Sequence, residues 1–121
     1  MFKWVKSNTS SMLVTVYPNN LTLNSLASKY FDSVRWTMVG INEKNMQLAI
    51  KPITKREIDL NIYPIENLHK ISIGNGYARI SNKNIINEIS KMLNKELDGD
   101  KFYASYDERE KLLIVDFSKP C

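Results

Sequence analysis

Apolar and polar residues alternate along most of this chain, and the alternation is interrupted by helical spacing in two places. Val14-Thr15-Val16 and Leu21-Thr22-Leu23 have period two, as do Ile71-Ser72-Ile73 and Ala78-Arg79-Ile80. Period two marks half-buried strands. Between the members of each pair stand Pro18-Asn19-Asn20 and Gly74-Asn75-Gly76, residue types that suit tight turns. Two longer hairpins follow the same logic. Residues 35–41 pair with 46–51 and turn at Asn42-Glu43-Lys44-Asn45; residues 101–106 pair with 111–117 and turn at Asp107-Glu108-Arg109-Glu110. Asn24 and Ser81 stand where N-caps are expected. After Ser81, Ile85, Ile86, Ile89, Met92, Leu93 and Leu97 trace one helical face that stops before Asp98-Gly99-Asp100. After Asn24 the predicted helix is short and offers Leu26, Ala27, Tyr30 and Phe31 to the core. Trp36 alternates with Met38 and is expected inside.

The pattern occurs twice. Ile41-Asn42-Glu43-Lys44 matches Tyr106-Asp107-Glu108-Arg109 at an offset of 65 residues, and the upstream strand pairs match at an offset of 57. The difference falls in the helical segment, which a little over two added turns would lengthen without rotating its apolar face far. The chain thus reads as two β-β-α-β-β halves, 12–52 and 71–117, joined by a polar connector, 53–70, that carries Pro64 and has room for one short strand or turn. The expected fold is a single α+β domain in which both halves share a barrel-like core.

Size agrees with this. A chain of 121 residues with 43% apolar content buries a core without a disulfide or metal staple. The lone Cys121 has no internal partner, which fits a reducing compartment. Met1-Phe2-Lys3-Trp4-Val5-Lys6 leads into no apolar run, so the expectation is a soluble cytoplasmic protein with no membrane contact. The net charge of +4 is uneven: residues 1–60 hold eight Lys and Arg against four acids, and no acid precedes Asp32. Such a half attracts polyanions, and a charge this small equally suits an ordinary solvated surface with a modest cation excess.

Catalytic chemistry finds no purchase. His69 is the only histidine and lies where a loop enters a strand, a place for a hydrogen-bonded structural role. One His and one Cys build no zinc site of the usual ligand types. Glu96-Leu97-Asp98-Gly99-Asp100 lacks the closing acid of a calcium loop. No catalytic residue, metal or cofactor is expected, and the chain reads as a non-enzyme. Cations and aromatics do interleave, in Phe2-Lys3-Trp4, Lys29-Tyr30-Phe31 and Arg35-Trp36. This suits nucleic-acid backbones and also protein interfaces, and the arm that carries Trp4 has two places to go, against the sheet or out to a protein partner.

The repeated order of strand, cap, helix and hairpin resembles the swapped-hairpin fold of AbrB-like and SpoVT-like transition-state regulators, and of the MraZ-type proteins that carry two copies in one chain. The resemblance spans 12–52 and 71–117. It implies that the two halves interleave their hairpins, that a homo-oligomer forms by hairpin exchange, and that DNA is bound. Where the family often writes Gly-Arg-Val-x-Ile-Pro, the arginine position here holds Asn20 and Tyr77, and the proline position holds Asn24 and Ser81. The nearest cation is Arg79. The resulting expectation is a small DNA-binding transcriptional regulator or accessory protein. Lys3, Lys6, Lys29, Arg35, Lys70, Arg79 and Lys83 would supply the cations, and Asn20 and Asn24 would read base edges. The rival is a non-enzymatic protein-interaction or assembly module on the same fold, which the missing arginines favour.

Overall fold

The computed structural model describes residues 1–4 and 11–121. Among them nine antiparallel strands form one sheet: β1 (Met12–Val16), β2 (Asn20–Leu23), β3 (Trp36–Asn42), β4 (Gln47–Ile53), β5 (His69–Lys70), β6 (Ser72–Gly74), β7 (Tyr77–Ser81), β8 (Asp100–Asp107) and β9 (Leu112–Pro120). Their spatial order is β5-β3-β4-β9-β8-β1-β2-β7-β6. The two marginal strands, β5 and β6, are separated in the chain only by Ile71. One short run of chain therefore pairs with β3 through its first residues and with β7 through its last. The sheet curls into a nearly closed barrel whose seam lies at Ile71. Ile71 is buried, and its N–H donates to the Arg35 carbonyl at 3.0 Å.

Alternation fills the barrel. Val14 and Val16, Leu21 and Leu23, Leu48 and Ile50, Ala78 and Ile80, and Leu113 and Val115 all point inward and are essentially inaccessible to water. The helices complete the core. The short α1 (Ser25–Ser28) runs into a 3₁₀ turn at Lys29–Phe31 and buries Ala27 and Phe31. The longer α3 (Lys83–Leu93) buries Ile85, Ile86 and Ile89. Tyr30 stacks flat on Tyr106 with ring centroids 3.7 Å apart, and Phe102 meets Phe117 edge to face.

The caps show why each helix begins where it does. Asn24 caps α1 as expected, its Oδ1 accepting from the Ala27 N–H at 3.1 Å. Asn82, not Ser81, caps α3, with Oδ1 accepting from Ile85 N–H at 3.1 Å. Ser81 remains the last residue of β7, paired with Asn20. The helix also ends earlier than its apolar spacing suggests. Asn94 takes left-handed geometry at φ 52° and stops it, while Leu97 reaches the core from the loop beyond. In the connector, α2 (Lys55–Asp59) opens with a capping box between Thr54 and Glu57, and a 3₁₀ turn follows at Ile65–Asn67.

The two matched turns are built alike, one residue later than expected. Asn42 Oδ1 accepts from the Asn45 N–H, and Asp107 Oδ1 accepts from the Arg109 and Glu110 N–H groups. Each turn ends on a left-handed residue, Met46 at φ 55° and Lys111 at φ 56°. Trp36 departs from expectation. It is 37% exposed, and its neighbour Thr37 is the buried residue. Thr37 tolerates the interior because its hydroxyl donates to the His69 carbonyl at 2.9 Å. That fixes the phase of β3, with Trp36 outside opposite Lys70.

Candidate nucleic-acid interface

Residues 1–31 and 67–87 contain no Asp or Glu. The sheet brings these two stretches together, since β1 pairs with β2, β2 with β7, and β7 with β6. The outer face of these strands is therefore free of carboxylates. Across it runs a cross-strand row of Lys101, Thr15, Thr22, Arg79 and Ser72. The carboxylate at the margin is Asp100, opposite Val16. Lys95 binds it at 2.6 Å and, by that hydrogen bond, holds its carboxyl below the usual range.

Arg79 is held in place. Its guanidinium lies over the Tyr77 ring, 5.2 Å from the centroid. That ring in turn lies across Gly74, where a Cβ would collide with it. Glycine at 74 thus lets the ring lie flat and carry the arginine. Neither Arg79, Lys70, Lys83 nor Lys101 takes part in the ion pairs found among the described residues, which are Lys91–Glu88, Lys95–Asp100 and Lys119–Asp116.

The expected contact residues divide into groups. Lys70, Arg79, Lys83 and Asn20 come together: Asn20 faces Ser81 on β7, Lys83 follows two residues on, and Lys70 precedes β6 at the seam. The Asn20 Oδ1 accepts from Thr22 Oγ1 at 2.8 Å and its Nδ2 donates to Asn19. Asn24 sits differently. Its Oδ1 caps α1 and its Nδ2 donates to the Ser11 carbonyl at 2.9 Å, so both ends of the amide are engaged within the fold. Lys29 stands at the junction of α1 with its 3₁₀ turn, 5.5 Å from the Tyr30 centroid. Arg35 borders a cavity of about 450 Å³ with Trp36, Lys55, Ile58 and Asp59. Lys3 and Trp4 are exposed, and Lys6 lies outside the described residues. Sequence reasoning overlooked Lys101 and the hydroxyl row. The second acid-free stretch, 67–87, was the available signal.

His69 is hydrogen-bonded at the start of β5. Asn82 Oδ1 is committed to the α3 cap, so its Nδ2 faces His69 Nδ1 at 3.0 Å and donates to it. The imidazole is thus neutral with its proton on Nε2, and burial pulls its pKa below the usual 6.5. The sign follows. Neutral His69 contributes its full stability above about pH 6.5, and this is lost as the pH falls toward the lower folded value, because the unfolded chain takes up the proton first. Urea midpoints should therefore fall between pH 7.5 and 5.5 by more in the native chain than in His69→Gln. Equal slopes would refute the assignment.

Among the described residues no three of His, Cys, Asp and Glu are grouped to hold a metal ion, and no helix is long and apolar enough to cross a membrane. No protein-family model, curated protein or solved structure matches the chain.

Proposed function

We propose that the protein is a small DNA-binding regulator or accessory protein, and that its halves, 12–52 and 71–117, are interleaved copies of one β-β-α-β-β unit. One observation carries the binding reading: the outer face of β1, β2, β6 and β7 is free of carboxylates, carries Arg79 and is flanked by Lys70, Lys83 and Lys101, none of these four in an ion pair among the described residues. A duplex backbone is the polyanion such a face fits.

The order of hairpins supports the interleaving. Hairpins β1–β2 and β3–β4 are never adjacent; β6–β7 and β8–β9 stand between them. The registers agree with the sequence offsets. Thr22 faces Arg79, which is 57 residues on, and Leu21 faces Ile80 while Leu23 faces Ala78. Ala49 faces Ile114, which is 65 residues on, and Leu48 faces Val115 while Ile50 faces Leu113. Each ladder thus maps onto itself when the halves are exchanged. The β3–β5 ladder departs from this, with two pairs against five in β1–β8.

The test is fluorescence anisotropy with a mixed-sequence duplex across a salt series. Four phosphate contacts give a log–log salt slope of about −3.6 and a dissociation constant in the micromolar range or weaker near physiological salt. No binding at low salt would overturn the reading. It would leave the assembly module, which the apolar exposure of the connector favours: Leu60 at 60%, Ile62 at 52% and Ile65 at 83%.

A further inference from the structure

Among the described residues, the seam leaves one strand margin uncovered. Ile71 N–H donates to the Arg35 carbonyl, and Thr37 faces His69, so the odd-numbered residues of β3 aim their main-chain groups toward the seam. β5 and Ile71 cover this margin from Arg35 to Thr37. Beyond β5 the connector turns away: the Leu68 N–H donates to Ile65 and the Asn67 N–H to Pro64. The N–H and C=O groups of Val39 and Ile41 therefore face outward with no backbone partner among the described residues. Met38-Val39-Gly40-Ile41-Asn42 also contains no charge and no proline, the usual devices that keep an open edge from pairing.

We propose that this edge is where a second copy of the chain adds, β3 against β3, antiparallel about a twofold axis at Gly40. The register follows from the free positions. An edge whose odd residues bond outward pairs odd with odd. Centring on Val39 would place Ile41 of the partner opposite Thr37, where His69 already lies. Centring on Ile41 would carry the pairing into the Glu43 turn and leave Met38 uncovered. Centring on Gly40 uses the five free positions once. Val39 then meets Ile41 twice, giving four main-chain hydrogen bonds and covering an isoleucine that is 36% exposed. At the axis two glycines meet, and the space where a Gly40 Cβ would stand is open.

The proposal does not depend on DNA binding.

Sedimentation velocity from about 5 to 500 μM, with amide hydrogen exchange at both ends of that range, tests it. The native chain should dimerise, and the Val39 and Ile41 amides should exchange slowly only when concentrated. Ile41→Lys should weaken association at least tenfold. Val39→Pro removes a donor that β3–β4 pairing does not use, so it should also yield a monomer with an unchanged far-ultraviolet spectrum. A chain that stays monomeric, or a dimer that persists in Ile41→Lys with both amides exchanging fast, overturns the proposal.

Discussion

Phe31→Ala should lower the unfolding free energy by about 3–5 kcal/mol, the range for removing a buried aromatic ring. Phe31 is the largest side chain in the structure with no solvent exposure. It hangs from a single 3₁₀ turn after a helix of one turn, so little local structure can shift to refill the space. A domain of this size is stable by roughly 5–15 kcal/mol, and the thermal midpoint should fall by roughly 15 °C. Phe31→Leu, which keeps most of the volume, should cost less than half as much. Calorimetry decides this. A loss below about 1 kcal/mol for the alanine variant would show that the ring is peripheral to the core.

Replacing Lys70, Arg79 and Lys83 together by alanine should reduce the salt slope of DNA binding by about 2.7, at about 0.9 per phosphate contact. Between 50 and 200 mM salt the native affinity should then fall about 40-fold further than that of the variant. The loss should be similar for every duplex sequence, because phosphate contacts carry no sequence information. Lys91→Ala with Lys119→Ala is the control. These lysines already lie near Glu88 and Asp116, and their removal should leave the slope nearly unchanged. A triple variant that binds with the native slope would remove the interface from this face.

Strands and turns were legible in the sequence because period-two alternation has a direct physical cause, burial of one face of a sheet. The inward pairs Val14/Val16, Leu21/Leu23 and Leu113/Val115 show this. The Asn42 and Asp107 turns were legible because their carboxyl or amide oxygens bind turn N–H groups. What escaped reading depended on distant partners. Trp36 and Met38 looked like the inward face of β3 by size alone. The seam strand decided otherwise, since its carbonyl at His69 satisfies the Thr37 hydroxyl. The helix cap moved from Ser81 to Asn82 because β7 needs Ser81 opposite Asn20. The candidate face was half legible. Arg79, Lys70 and Lys83 stood out as cations, but only the strand order sets them, with Lys101, around the carboxylate-free outer face of β1, β2, β6 and β7.

The seam has a further consequence. His69 to Gly74 holds both margins of the sheet, by two residue pairs on one side of Ile71 and three on the other. Every other junction around the circumference has at least three pairs, and β3–β4 has seven. Thermal breathing will therefore begin here, the wall parting like a cuff along its shortest stitching. Ile71 would be wetted first, while the β4–β9 and β1–β8 junctions stay shut.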